Sequence, residues 1–420
     1  MQGHLAAPPR LTSRTRRLAP GERDDALTLL QAAAGTPRGF WVEQQDDREP
    51  IVMVAVGAAC RITATGPDRF RHVQEAAAEL WRRLDHEGPL PPRLLGGFAF
   101  HDDHEAVGRW HGFDAAHFIL PERLLLWKDG ALYENVVEAE GPSVLPEPSR
   151  QVGPAAVDDD EAAWTAAVRD ALEAIEAGEL TKLVLARSPH LDPEADPADV
   201  VPRLDPSTRF RFLVEPRAGH AFFGATPELL VKLHGDRLET HALAGSRRAG
   251  DDESEAGMLA HDLLTSPKEA LEHELVVADI RERLSRRGAL VEAQPRRIRR
   301  LRHVQHLETP LRAPAPATTH VLDLVAALHP TPAVGGTPRR EALAALKRLE
   351  RFPRGWYAGT VGWFDSEGQG TFATALRCAL STPDATWLFA GAGIVAGSDP
   401  RREWQETRVK LRPMREALSR

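Results

Sequence analysis

Short apolar runs typical of β-strands occur in groups along this 420-residue chain, and helical segments separate the groups. Such groups lie at residues 51–56 and 118–127, at residues 210–233 and at residues 357–390. Strands that alternate strictly with helices predict a parallel, doubly wound sheet, whereas grouped strands pair most simply with their neighbours as antiparallel hairpins. The pattern therefore predicts an α+β fold with large, mostly antiparallel sheets flanked by helices.

A segment rich in proline, glycine and acidic residues, at residues 141–160, has the composition of a linker. It separates an N-terminal subdomain, residues 26–150, from a second region, residues 151–420, and we expect the two to form one intertwined globular unit. The chain starts with a stretch rich in proline, arginine and alanine, and we predict that residues 1–25 are disordered.

The composition excludes several classes of protein. The net charge of −8 argues against nucleic-acid binding, and the one basic run, residues 295–302, is expected to be a solvated strand edge. Two cysteines, Cys60 and Cys378, cannot build a disulfide framework or a zinc site. The sequence contains no run of about 18 or more apolar residues, so we expect no membrane span. The N-terminus lacks the pattern of a secretory signal. We therefore expect a cytoplasmic enzyme with no membrane partner.

The C-terminal region combines a strand that contains glycine with a capped helix. Residues 391–395 read as a strand end, and Pro400 suits the first position of the helix that follows. Ser398 or Asp399 supplies the N-cap oxygen. Trp404, in the first turns, is expected to anchor this helix in the core.

Three charged residues fall on nearly one face of that helix. Glu403 and Glu406 are three residues apart, and Lys410 follows four after Glu406. Two acids beside a lysine predict a bound Mg²⁺ with an anion between the metal and the ammonium. A solvated helix face with an ordinary Glu–Lys pair is the competing interpretation, with about equal weight on this segment alone.

A second acidic pair and an inward-facing lysine lie earlier in the chain. Residues 253–286 have a helical pattern, which we predict to be one helix, and Glu269 and Glu272 stand three apart on its surface. Residues 181–187 predict a strand that places Lys182 on the same face as Val184 and Ala186. Buried lysines are rare, so this one is a candidate functional residue, although on this strand alone an edge-strand lysine that protects against aggregation is the favoured interpretation.

Eight motifs, taken together, resemble those of one family. In chain order they are TKLVLAR (181–187), FFGATPELLV (222–231), THALAGSRRAG (240–250), SPKEALEHELVV (266–277), LHPTPAVGG (328–336), WYAGTVGW (356–363), TALRCAL (374–380) and FAGAGIVAGSDPRREWQETRVKL (389–411). The chain resembles the chorismate-utilising enzymes, and within them the isochorismate synthases. The resemblance implies the α+β fold of anthranilate synthase component I.

The resemblance implies that water adds to C2 of chorismate while the C4 hydroxyl leaves. Lys182 matches the family's general base, which must be neutral to accept a proton from that water. Glu228 matches the general acid, which must start protonated and therefore requires a raised pKa. Because the ring carries carboxylates, the family also implies a bound cation.

The resemblance assigns Mg²⁺ and substrate contacts residue by residue. Glu272 and Glu406 match the Mg²⁺ carboxylates, and Glu269 and Glu403 reach the ion directly or through water. Arg377 and Lys410 match positions that hold the substrate's carboxylates. The full set of implied substrate-binding residues is Gly245, Ser246, His329, Ala333, Tyr357, Arg377, Gly391, Gly393 and Lys410.

The choice within the family depends on few residues. Aminating members need a glutaminase subunit and normally lack the HPTPAVGG form around His329, so we expect no such partner. Salicylate synthases tend to carry threonine where this chain has Ala333, which favours a reaction that stops at isochorismate. Salicylate synthase and a non-catalytic chorismate-binding protein are the alternatives.

Further expectations concern the biological context and the remaining histidines. We expect a monomer whose product feeds menaquinone or siderophore biosynthesis. The remaining histidines, including His273 and His306, show no spacing typical of metal ligands, and His273 is expected in the core or on a helix surface.

Overall fold

The computed structural model describes residues 3–6, 10–19, 26–45, 48–139, 160–192 and 195–419. The α-helices in these ranges are α1 (Ala26–Ala32), α2 (Arg69–Arg83), α3 (Glu161–Glu176), α4 (Pro197–Val200), α5 (Glu253–Thr265), α6 (Pro267–Ser285), α7 (Val321–Leu328), α8 (Arg339–Leu349) and α9 (Pro400–Leu418). Within the described ranges, none of these helices is long and apolar enough to cross a membrane.

The first ten strands precede residue 140. They are β1 (His4–Ala6), β2 (Leu11–Arg17), β3 (Arg38–Gln45), β4 (Arg48–Val56), β5 (Cys60–Ala64), β6 (Leu84–Glu87), β7 (Arg93–Phe98), β8 (Ala116–Leu120), β9 (Arg123–Lys128) and β10 (Ala131–Ala139). The other strands are β11 (Lys182–Arg187), β12 (His190–Leu191), β13 (Phe210–Arg217), β14 (His220–Thr226), β15 (Leu229–His234), β16 (Arg237–Arg248), β17 (Glu292–Ala293), β18 (Arg297–Arg300), β19 (Val304–Pro314), β20 (Gly336–Thr337), β21 (Thr360–Asp365), β22 (Gly370–Thr374), β23 (Cys378–Ser381), β24 (Thr386–Leu388) and β25 (Ala390–Ile394).

These strands form two sheets of eleven strands and one of three. The first has the order β1-β5-β8-β7-β21-β22-β15-β16-β19-β17, with β18 also paired to β19. The second has the order β12-β24-β23-β14-β13-β3-β4-β9-β10-β2-β6, and the third is β20-β11-β25. Among the described strands, β2 and β6 form the one parallel pair. The prediction of an α+β fold with mostly antiparallel sheets is confirmed.

Both large sheets combine strands from both ends of the chain. In the first, β7 pairs with β21, so Leu95 lies opposite Trp363. In the second, β3 pairs with β13, so Trp41 lies opposite Phe212. The subdomain over residues 26–150 is therefore not a separate layer. Nearly all of the linker predicted at residues 141–160, and the boundary after residue 150, lie outside the described residues.

The two large sheets pack face to face around the main hydrophobic core. Trp41 and Met53 of the second sheet are buried in one cluster with Leu95, Val361 and Ala373 of the first. Helices cover the outer faces: α2, α6 and α7 pack on the first sheet, and α1, α4 and the end of α9 pack on the second. This burial supplies the main driving force for the fold.

The prediction that residues 1–25 are disordered is wrong for the described strands β1 and β2. Strand β2 pairs with β10 on one side and β6 on the other, with Leu11 opposite Ala139. In β2, every second residue from Leu11 to Thr15 is buried, which is the period of a strand. The arginines of β2 made this alternation hard to see in the sequence, because an arginine-rich composition resembles that of a flexible terminus.

The helix predicted over residues 253–286 is two helices. α5 ends at Thr265, and α6 begins at Pro267 with Ser266 as its N-cap. Proline lacks an N–H and disfavours helical geometry in the residue before it, so a helix that reaches Ser266 must stop there. The new start lets the Ser266 hydroxyl accept from the Glu269 backbone N–H. By contrast, the basic run at residues 295–302 contains the edge strand β18, as predicted.

Helix α9 begins as the sequence predicts and is fixed by its tryptophan. The Asp399 carboxylate accepts a hydrogen bond from the Arg402 backbone N–H at 2.9 Å, and Pro400 occupies the first turn. The ring of Trp404 is buried against Trp164 of α3, with the Arg187 guanidinium 3.6 Å from its centre. These contacts set the orientation of the α9 face that carries Glu403 and Glu406.

We predict that Asp399→Ala lowers the free energy of unfolding by about 1 kcal/mol, because it removes the N-cap acceptor of α9. Urea unfolding followed by circular dichroism measures this change. Asp170→Ala, on the exposed face of α3 and away from any cap, is the matched control and should change stability by less than about 0.5 kcal/mol. Equal losses in the two variants would contradict the capping role.

Candidate active site

One cavity, open to solvent, brings together nearly all residues singled out by the sequence. It is bounded by β11 and β25 of the small sheet, by β16 and by the helices α6 and α9. Lys182, Glu228, the four predicted metal carboxylates and every predicted substrate-binding residue except His329 line it. A concave site with converging polar groups is typical of small-molecule binding.

The small sheet buries Lys182 at the base of this cavity. Its side chain is 1% exposed, and β11 lies between β20 and β25, so it is not an edge strand. Gly393 of β25 lies opposite Val184 of β11 and leaves room for the Lys182 side chain. A Cβ at Gly393 would lie 3.3 Å from Lys182 Cε. The edge-strand interpretation of this lysine is therefore wrong.

Glu228 is a buried acid that is mainly protonated below about pH 7. It lies between β14 and β15, and burial raises the pKa of its carboxyl to about 7. The hydroxyl of Thr374 donates to its Oε1 at 3.0 Å, and Lys182 and Lys410 also favour the carboxylate. Desolvation outweighs these opposing effects, which gives the raised pKa that the sequence analysis required of a general acid.

Basic side chains contact at least three of the four predicted metal carboxylates. Lys182 Nζ lies 2.6 Å from Glu272 Oε1, and Lys410 Nζ lies 2.6 Å from Glu406 Oε1. Arg247 Nη1 donates to Glu269 at 2.7 Å. Glu406 and Lys410 thus form the pair predicted from their spacing, but they do so inside the cavity rather than on a solvated helix face.

The donor chemistry of this set fits Mg²⁺, although the carboxylates are not gathered around one point. Glu269 and Glu272 on α6 and Glu403 on α9 line the same cavity as Glu406, and all offer the oxygen ligands that Mg²⁺ prefers. Across the parts of the chain that the structure describes, no three His, Cys, Asp or Glu side chains converge as a ready-made metal site.

Gly245 lets the β16 backbone approach α6. Its φ of +81° lies in the left-handed region that glycine adopts freely, and a Cβ would lie 3.0 Å from Glu269 Oε2. Next to it, Ser246 faces His306 across the β16–β19 ladder. The glycine therefore positions both an acidic residue and a polar backbone segment along one wall of the cavity.

Arg377 and Lys410 supply positive charge on the opposite wall. Lys410 Nζ donates to the Gly391 carbonyl at 2.9 Å, and Arg377 Nη1 donates to the Lys410 carbonyl at 3.5 Å. The φ of Arg377 is +49°, a conformation that few residues other than glycine adopt and that often marks functional sites. Tyr357 stacks on Phe389 beside them, with ring centres 5.1 Å apart.

His306 is a cavity residue to which the sequence analysis gave no role. Its Nδ1 lies 3.0 Å from the Ser246 hydroxyl. Burial, with the positive charges of Arg377 and Lys410, lowers the pKa of the imidazole to about 3. A neutral ring therefore faces the cavity. Only the pairing register of β16 and β19 reveals this position, and no spacing within the sequence does.

His329 does not line the cavity, so the prediction that it contacts the substrate is wrong. Its ring is buried, with Nε2 3.2 Å from the Phe100 carbonyl and Phe70 and Phe100 around it. The residue ends α7 and packs in the core, whereas Ala333 and Val334 of the same motif reach the cavity. The motif therefore acts on the site through its later residues.

One other histidine, His273, lies where the sequence predicted. His273 is buried in the core, with Nε2 2.7 Å from the Thr309 hydroxyl and Nδ1 3.2 Å from the Ala244 carbonyl. It therefore stabilises the contact between α6 and the first sheet rather than facing the cavity.

A cavity with a buried lysine, a protonated glutamic acid and acidic helix faces, built on paired antiparallel sheets, defines a class of enzyme that acts on small anionic molecules. Comparison with protein families identifies the class: residues 6–138 and 134–419 match the model described as chorismate binding enzyme. The chain belongs to this family, as the motifs predicted.

Comparison with individual proteins and solved structures supports membership of this family. The salicylate biosynthesis isochorismate synthase of Pseudomonas aeruginosa is 37% identical over 412 residues, which cover 91% of this chain and 85% of that protein. The structure of MenF, the menaquinone-specific isochorismate synthase from Escherichia coli, matches with a TM-score of 0.78 and 26% identity, covering 99% of this chain and 96% of that one. Anthranilate synthase component I from Streptococcus pneumoniae, at 19% identity and a TM-score of 0.67 over 91% of each chain, shares the fold.

We predict that Thr374→Val raises the pKa of Glu228 above about 7, because it removes a hydroxyl that donates to the charged carboxylate. Carbon-13 NMR of the glutamate carboxyl measures the shift. Thr371→Val is the matched control, since that hydroxyl donates to Glu43 outside the cavity. A Glu228 pKa that stays the same in Thr374→Val would show that the hydrogen bond does not influence the acid.

Proposed function

We propose that this protein is an isochorismate synthase, which converts chorismate reversibly to isochorismate. The observation that carries the proposal is the placement of Lys182 and the protonated carboxyl of Glu228 in one cavity with the cations Arg377 and Lys410. The names of the relatives in Pseudomonas aeruginosa and Escherichia coli support the same reaction.

The reaction needs one base and one acid, and this chain offers one of each. Lys182, as the free amine, accepts a proton from the water whose oxygen bonds to C2. The ring double bonds shift, the C4–O bond breaks, and Glu228 gives its proton to the departing hydroxyl, which leaves as water. The raised pKa of Glu228 keeps its proton available at neutral pH.

The remaining cavity residues hold the substrate. The planar guanidinium of Arg377 suits a carboxylate, and Lys410 adds a second positive charge beside it. Gly245 and Ser246 on one wall and Gly391 and Gly393 on the other allow backbone N–H groups to approach an anion closely.

We propose that Glu272 and Glu406 hold Mg²⁺, with Glu269 and Glu403 binding directly or through water. The cation supplies positive charge that binds and polarises the ring carboxylate. Support comes from the four carboxylates on two helices that line the substrate cavity.

The cavity favours a reaction that ends at isochorismate. Ala333 lines it with a methyl group where salicylate synthases tend to carry threonine, so no hydroxyl at this position assists loss of the pyruvate side chain. A non-catalytic binding protein is disfavoured because base, acid and acidic residues are all present in one site. The use of the product in menaquinone or siderophore synthesis, the monomeric state, the absence of a glutaminase subunit and the cytoplasmic location stay predictions.

Chromatography of the products formed from chorismate and Mg²⁺ tests the proposal. We expect isochorismate alone, and no product with EDTA. Lys182→Ala and Glu228→Gln should each lower the rate by at least about 100-fold, because proton transfer is lost. Release of salicylate and pyruvate would support salicylate synthase instead. Absence of any product would support a binding protein, and a variant with more than a tenth of the wild-type rate would contradict that residue's role.

The pH dependence of kcat/KM tests the acid separately. Because Glu228 acts in its protonated form, the rate should fall as the pH rises through about 7. In Thr374→Val this fall should move to higher pH, as the pKa of Glu228 rises, while Thr371→Val should leave it in place. A profile that still rises above pH 8 would exclude Glu228 as the acid.

A further inference from the structure

Two lysines occupy the carboxylates assigned above to the cation. Lys182 Nζ lies 2.6 Å from Glu272 Oε1, and Lys410 Nζ lies 2.6 Å from Glu406 Oε1. One lysine comes from the small sheet and its carboxylate from α6, whereas the other pair lies within α9. The same arrangement therefore occurs twice in one cavity, through unrelated parts of the fold.

The burial of the Lys182–Glu272 pair makes this lysine a strong competitor for a cation, whereas Lys410 and Glu406 are 19% and 39% exposed. The Lys182 side chain is 1% exposed and that of Glu272 is 18% exposed, so water and salt screen their attraction little. A divalent ion on the same carboxylate would face an ammonium group at close range and be repelled by it. Either the lysine moves away from the oxygen, or the ion binds weakly.

Lys182 also has another acid within reach of its charge. The carboxyl of Glu228 interacts electrostatically with both Lys182 and Lys410. Gly393 borders the Lys182–Glu272 pair: a Cβ there would lie 3.5 Å from Glu272 Oε1 and 3.8 Å from Lys182 Nζ. The missing side chain leaves space beside the pair, so the ammonium can leave Glu272 without displacing a neighbour at that position.

We propose, building on the metal site of the proposed function, that Lys182 and Lys410 are built-in competitors of the divalent cation for Glu272 and Glu406. Without a cation on Glu272, the Nζ of Lys182 is held at the Oε1 of that carboxylate, at 2.6 Å. Binding of the cation and departure of Lys182 from Glu272 then occur as a single exchange. Because such coupling is reciprocal, whatever draws Lys182 away from Glu272, including a substrate anion near it, also tightens cation binding.

Calorimetric titration of the full-length protein with Mg²⁺, without substrate, tests this competition independently of activity. Lys182→Met and Lys410→Met keep an unbranched side chain but remove the ammonium. Each should lower the Kd for Mg²⁺ by at least about tenfold, which is the effect expected from losing a charged hydrogen bond to the ligand oxygen. Lys410 is 19% exposed, so its variant tests the proposal even if the buried Lys182→Met does not fold.

Arg377→Met is the matched control, because it removes a positive charge from the same cavity. If direct competition operates, its Kd should change by less than about threefold, because Arg377 acts on Glu406 only through longer-range electrostatics. A change as large as that of the lysine variants would mean that net charge alone sets the affinity, and would overturn the proposal.

The remaining outcomes separate this proposal from the metal site itself. Binding to the wild-type protein with an unchanged Kd in both lysine variants would overturn the competition and leave the metal site in place. No binding to any of the proteins at millimolar Mg²⁺ would overturn both. If Glu272 is a metal ligand, Glu272→Gln should weaken Mg²⁺ binding.

Discussion

The burial of the Lys182 ammonium is the constraint on which the rest of the site depends. A charge with a 1% exposed side chain must be compensated, and the Glu272 carboxylate at 2.6 Å provides that compensation. The pair joins the small sheet to α6, and β25 joins the same sheet to α9 through the turn before Pro400. The two acidic helices are therefore held on either side of one lysine, which explains why residues far apart in sequence form one cavity.

The cavity keeps two ionisable groups neutral among many that are charged. Burial acts in opposite directions on them: it raises the pKa of Glu228 to about 7 and lowers that of His306 to about 3. Between these two pKa values both groups are mainly uncharged, although cations lie nearby. A neutral acid that gives a proton and a neutral ring that adds no further positive charge are compatible with a dianionic substrate.

The sequence predicted local features well, and features that depend on distant partners poorly. The cap of α9 at Asp399 and the acid spacing follow from neighbouring residues, so they were predicted correctly. The role of His306 depends on which residue of β16 lies opposite it, and that register is set by pairing across the sheet. His329 shows the reverse: its motif was correctly identified, but the packing of Phe100 decides that its ring faces the core.

The interleaving of early and late strands has a consequence for synthesis on the ribosome. Strand β7 is an interior strand of the first sheet only when β21 lies beside it, and β3 lacks one neighbour until β13 is made. An emerging chain must therefore carry unpaired strand edges and exposed apolar faces until its last third appears. Nascent chains of this protein are expected to depend on chaperones for longer than chains of equal length built from successive domains.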